Sequence, residues 1–120
     1  MTTWEPWSYP DKAGVRAGAT NLVGFSVEAS DGHIGRVDEA SYEVGSGYLV
    51  ADTGPWIFGK KVLLPAGTVS DIDLDNKKVF VDRTKDEIKN SPQLDPDKYR
   101  EAGYRTDIGN YYDRFYQRNL

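Results

Sequence analysis

Apolar positions change their rhythm three times along the chain. Residues 1–20 carry Trp4, Trp7 and Tyr9 among prolines, glycines, threonines and charges, with no sustained apolar period. From Leu22 to Thr84 short runs of Val, Ile and Leu alternate with polar residues and are separated by turn signals every ~8–14 residues, the spacing of an all-β domain. After Thr84 the pattern turns helical and then strongly aromatic. The chain therefore reads as an aromatic N-terminal extension (1–20), a β domain (21–95) and an aromatic, partly helical C-terminal extension (96–120).

Six strands are expected, over 22–28, 34–44, 48–52, 57–64, 69–74 and 79–82. Asp31-Gly32 supplies a tight turn between the first two, and Asp75-Asn76-Lys77 a turn between the last two. The second strand changes phase. Ile34 and Val37 are three apart, whereas Ala40, Tyr42 and Val44 keep period two, so an irregularity is expected between Gly35 and Ala40. Gly24, Gly32, Gly35 and Gly59 read as turn or bend glycines, and Pro65 closes the fourth strand. If Gly35 sits at a bend or a positive φ, Gly35→Val costs about 1–3 kcal/mol.

Helix punctuation follows. Thr84-Lys85-Asp86-Glu87 is a capping box, in which the Thr84 hydroxyl accepts from the Glu87 amide while Glu87 reaches back. Ile88 is the apolar contact of this short helix, which Ser91-Pro92 ends. Asp95-Pro96 reads as another helix start with Gly103 as its stop. A further turn or two from Asn110 would pair Tyr111 with Phe115 and Tyr112 with Tyr116 at i,i+4.

Composition then removes chemistry. The 120 residues include no Cys and one His, which excludes disulfides, thiolate nucleophiles, Cys-ligated zinc and multi-His metal centres. Fifteen basic residues against nineteen acidic give a net charge of −4, a poor balance for phosphate binding, so nucleic acid is not the expected partner. MTTWEPWSYP has no basic start and no apolar run, and no stretch reaches the ~18 apolar residues of a membrane span; a cytoplasmic protein is expected.

Asp71-x-Asp73-x-Asp75-Asn76 imitates a calcium loop, which needs oxygen ligands at alternate positions. Ile72 and Leu74 alternate with the aspartates as in a half-buried strand, Asn76 stands where glycine is needed, and Lys78 falls inside the loop. An edge strand with solvated aspartates accounts for it better. His33 is expected to be solvated beside Asp31. No serine occupies the nucleophile of a G-x-S-x-G elbow, and neither Gly32-x-x-Gly35 nor Gly45-x-Gly47 leads into a phosphate-cradling helix. No catalytic residue, metal or cofactor is assigned.

Most of the 3 Trp, 8 Tyr and 4 Phe residues lie outside the central block. Disordered tails are normally poor in aromatics. The flanks are expected either to fold back and enlarge a small core, or to form an interface built on Trp4, Trp7, Trp56, Tyr111, Tyr112 and Phe115.

Leu22-Val23-Gly24 through Asp31-Gly32-His33-Ile34-Gly35-Arg36-Val37 resembles the opening hairpin of the PRC-barrel family, named for the cytoplasmic domain of the photosynthetic reaction-centre H subunit. The resemblance continues through Tyr48-Leu49-Val50, Phe58-Gly59-Lys60-Lys61, Val62-Leu63-Leu64-Pro65, Val79-Phe80-Val81 and Thr84 to Pro92. It implies a mainly β fold: a small, strongly bent barrel of about six strands with short C-terminal helices. Family members include the reaction-centre domain, which borders a proton route to a quinone, a ribosome-maturation factor's C-terminal domain, and stand-alone bacterial proteins. They share adaptor or assembly behaviour and no common catalytic residues. The resemblance thus implies a noncatalytic protein-binding role, and the aromatic bulk outside the barrel leads to the expectation of a homodimer; the alternatives are a ribosome-associated or RNA-processing accessory, and a small-ligand protein or enzyme. For the aspartate motif, calorimetry is expected to show no heat on calcium addition; a saturable heat would restore the calcium reading.

Overall fold

The computed structural model describes residues 4–9, 21–41, 47–54, 61–92, 94 and 101–116, and for Ala102 only the backbone. Six strands form one sheet: β1 (Ser26–Ala29), β2 (Gly32–Ser41), β3 (Tyr48–Asp52), β4 (Lys61–Pro65), β5 (Val69–Asp73) and β6 (Lys78–Val81), in the order β4-β3-β2-β1-β6-β5. All neighbours are antiparallel except β1 and β6, which run parallel.

That order forces a bend. β4 and β5 are the two edges, and a flat sheet would hold them five strand spacings apart, about 24 Å. They are joined only by the three-residue 3-10 turn Ala66–Thr68. A joint of that length reaches at most ~14 Å. The sheet must therefore roll up, its edges meeting at this turn without pairing, which is the strongly bent open barrel the family resemblance implies. The turn is buried throughout, and is held by Thr68 Oγ1 donating to Pro65 O at 2.8 Å and Asp82 N donating to Thr68 O at 3.0 Å.

Rolling concentrates curvature in the ten-residue β2, where the pairing slips twice. Against β1, Val27 faces Gly35 and Glu28 faces His33, which leaves Ile34 as an extra residue. Against β3, the register shifts between Val37 and Glu39, inside the window where the change of phase predicts it. The bulges turn Ile34 and Val37 both inward, each 2% exposed, despite their three-residue spacing.

Gly35 owes its place to a close backbone approach. Its φ is not positive; a Cβ there would lie 2.1 Å from Asp52 O and 3.0 Å from Thr53 Cα. Gly24 (φ +93°) and Gly32 (φ +143°) do occupy the region that favours glycine. The Gly24 turn also starts β1 later than the apolar pattern predicts. Leu22 and Phe25 are buried, yet they flank a turn closed by Phe25 N donating to Leu22 O at 3.0 Å.

The core joins Val27, Ile34, Leu49, Leu63, Ile72 and Val79 of the sheet to Ile88, Ile108 and Tyr112 of two helices. The first, α1 (Lys85–Lys89), has the full capping box of Thr84 and Glu87. The second, α2 (Ala102–Tyr116), runs through Gly103. Gly103 is thus not a stop: the stripe of Tyr104, Ile108, Tyr111, Tyr112 and Phe115 carries the helical period back past it. The Asp95-Pro96 start, Gly59, Trp56 and residues 57–60 of the fourth expected strand lie outside the described residues.

Because the Asp52 carbonyl occupies the site of the missing side chain, Gly35→Ala is expected to cost about 3 kcal/mol, in the upper range for overpacking. Chemical denaturation measures it, and an unchanged midpoint would show that β3 can give way.

Candidate functional site

The aromatic flanks fold back onto one end of the barrel. Residues 4–9 lie across the β4–β5 turn as a strap held by backbone bonds: Gly67 N donates to Pro6 O at 2.9 Å, and Gly47 N donates to Trp7 O at 2.8 Å. Trp4 Nε1 donates to Gly67 O at 3.0 Å, and Tyr9 OH to Ser41 O at 3.0 Å. Glycine is required at Gly67, and Gly47 sits in a tight contact. A Cβ on Gly67 would lie 2.3 Å from Glu5 O, and one on Gly47 would lie 3.0 Å from Tyr9 Cε2 and from Ala66 Cβ.

Two arginines bind the strap and α2 together. The Arg105 guanidinium lies 4.6 Å from the Trp7 ring centroid and 5.9 Å from that of Tyr48. Arg83 faces Tyr116 at 4.5 Å and Phe115 at 5.3 Å, and pairs with Asp82 (3.6 Å) and Glu87 (3.8 Å). Trp4 stacks on Tyr116 with centroids 4.1 Å apart. Such contacts add directional attraction to the burial of the rings. Tyr116 OH donates to Asp82 and Tyr111 OH to Glu87 O, so α2 is pinned to the corner between β6 and α1. Burial, and for Tyr116 also the Asp82 carboxylate, pushes the Tyr116 and Tyr112 phenols far above their ordinary values.

Of the residues considered for an interface, Tyr112 is fully buried and belongs to the core. Trp4, Trp7, Tyr111 and Phe115 are half-buried and pack against that core. Trp56 is outside the described residues. The described part of the flanks thus folds back onto the barrel, with these four rings still part-exposed.

A second constellation was not foreseen. His33 faces Glu28 and Ser26, not Asp31: His33 Nδ1 is 2.6 Å from Glu28 Oε2 and 2.9 Å from Ser26 Oγ, and Ser26 Oγ donates to Glu28 Oε2 at 2.7 Å. Asp31 instead accepts from Lys85 N at 2.8 Å and so ties the β1–β2 turn to α1. The period-two spacing of Ser26 and Glu28 puts both on one face of β1, but only the hairpin register brings His33 across to them. Partial burial opposes ionisation of Glu28, yet the His33 and Ser26 hydrogen bonds hold its carboxyl below the ordinary value. A serine relay needs the nucleophile and the carboxylate on opposite ring nitrogens. Here both meet Nδ1, which is not that arrangement, and the trio ties the two strands of the hairpin together. A shallow groove of about 480 Å³ begins at His33 and runs past Arg36 to Asp52 and Gly54.

The aspartate motif lies on β5 and its turn. Asp73 caps that turn by accepting from Asn76 N (3.1 Å) and Asn76 Nδ2 (2.8 Å), which lowers its pKa. Asp71 Oδ1 accepts from Ile72 N at 2.8 Å. Among the described residues no three His, Cys, Asp or Glu side chains gather as a metal would require. No helix among them is long and apolar enough to cross a membrane.

The family model of the PRC-barrel domain matches residues 15–88, more than half of the chain. The chain belongs to the PRC-barrel family. A solved structure named as the 16S ribosomal RNA processing protein RimM of Pseudomonas aeruginosa is similar at 25% identity, over 54% of this chain and 42% of its own, with a TM-score of 0.46. This chain therefore spans less than half the length of that protein. No curated protein matches the chain.

The strap and all of α2 lie outside the stretch matched as a PRC barrel, so the belt of Trp4, Trp7, Arg105 and Tyr116 is built onto the family fold. Its phenols make it sensitive to alkali. The unfolded chain releases these protons near pH 10, while the folded chain holds them. The stability they provide is complete below pH 10 and is lost as the pH rises above it. Tyr116→Phe is expected to cost about 1 kcal/mol at neutral pH and to flatten the alkaline loss measured by thermal melting. An equally steep loss in the variant would place the sensitivity elsewhere.

Proposed function

We propose that this PRC-barrel protein is a noncatalytic cytoplasmic adaptor that acts through contacts with a protein partner. The observation that carries the reading is the wiring of the His33 cluster. Ser26 and Glu28 share one imidazole nitrogen, so the trio is a structural clamp, and the groove beside it is open and shallow where a reaction site needs groups converging on an enclosed atom. The excess of acidic residues favours a protein partner over a phosphate backbone. A homodimer argued from aromatic bulk outside the barrel draws no support from rings that pack within one chain.

Chromogenic ester hydrolysis tests the reading, since acyl transfer is the chemistry a serine–histidine–carboxylate trio would perform. No turnover above buffer is expected for the wild type or for Ser26→Ala. Turnover by the wild type that Ser26→Ala abolishes would replace the adaptor reading with an enzyme.

A further inference from the structure

The strap, residues 4–9, meets the barrel as a bound peptide meets a receptor. It pairs with no strand of the sheet, and its recognition is shared between backbone and side chains. Gly67 offers both its N–H and its carbonyl, taking Pro6 O and Trp4 Nε1; Gly47 N–H takes Trp7 O; the Ser41 carbonyl takes the Tyr9 hydroxyl. A Cβ on Gly67 would block the strap, lying 2.3 Å from Glu5 O, and one on Gly47 would crowd it at 3.0 Å from Tyr9 Cε2. Arg105 and Tyr116 supply the flat contacts for Trp7 and Trp4. The pattern read is Trp-x-Pro-Trp-x-Tyr, spelled by Trp4, Pro6, Trp7 and Tyr9 and presented on a turn at Pro6-Trp7 that Ser8 N closes by donating to Glu5 O at 3.4 Å. Both tryptophans remain half-buried, so the contact is modest in area.

We propose that this notch, between Gly47, Gly67 and α2, is an exchangeable peptide-recognition site. In the isolated chain its own strap fills it, and a partner protein presenting an aromatic-x-proline-aromatic segment in the same turn takes the strap's place. The inference rests on the adaptor reading and names its docking surface. The strap belongs to the same chain as its site, and covalent linkage of this kind sets an effective concentration of order mM. Held at that effective concentration, the strap stays closed with only a sub-mM intrinsic affinity, and a partner displaces it once the ratio of its concentration to its own Kd exceeds the strap's ratio. Occupied by the strap, the site is shut to weak ligands. The device selects for a matching partner.

The test uses the full chain with Trp4→Ala and Trp7→Ala, checked for folding by circular dichroism, and a fluorescein-labelled peptide of residues 2–12 as probe. Fluorescence anisotropy is expected to rise saturably with the double variant. The wild-type chain, whose own strap competes, should need about tenfold more protein or higher. Adding Gly67→Val to the double variant should abolish binding. Absence of saturable binding to the folded double variant overturns the proposal, as does equal binding when Gly67→Val is present. Should the double variant fail to fold, a protease site inserted between residues 14 and 15 and cut in the folded full chain keeps the question open to decision. Uptake of labelled peptide in exchange for the released segment supports the site, and no uptake overturns it. Ester turnover lost in Ser26→Ala would sink the adaptor reading without touching these results; failure of peptide binding leaves that reading standing and removes only its docking surface.

Discussion

Two strands at opposite edges of the sheet, β4 and β5, are separated in the chain by the three residues Ala66 to Thr68. A flat sheet cannot satisfy that connection, so curvature is imposed by covalent reach before any side chain is placed. The bulges in β2 and the close approach of Gly35 to the Asp52 carbonyl supply the bend. Apolar burial then fills a volume whose shape the backbone has already set.

The same short joint creates the surface on which the flanks assemble. Its middle residue, Gly67, presents an N–H and a carbonyl that the sheet leaves unpaired, since the two edges meet there without pairing. The strap satisfies both groups, which would otherwise be a cost in a buried turn. Tyr116 and Arg83 then fix α2 against Trp4 and α1, and Arg105 closes the remaining side over Trp7. Barrel and strap thus satisfy one another's backbone groups at this turn.

Local signals were legible where the cause was local. The capping box at Thr84 and Glu87 depends on residues three apart, and it formed as read. The irregularity in β2 followed from two apolar periods that no straight strand can bury together. Gly103 misled because a glycine was read as a stop when the stripe from Tyr104 to Phe115 outweighs it. His33 misled as well: its neighbour in sequence is Asp31, but strand pairing carries it to Glu28 and Ser26.

Taken alone, the amino-acid sequence determined the strand count, the cap of α1 and the concentration of aromatics in the flanks, because periodicity, capping and composition act over a few residues. Tertiary structure decided the parallel pairing of β1 with β6, the reason Gly35 must be glycine, and the direction the flank aromatics face. Those outcomes depend on backbone atoms far apart in the chain, such as Asp52 O against Gly35 and Gly67 against Trp4, whose meeting is settled only when the sheet closes on itself.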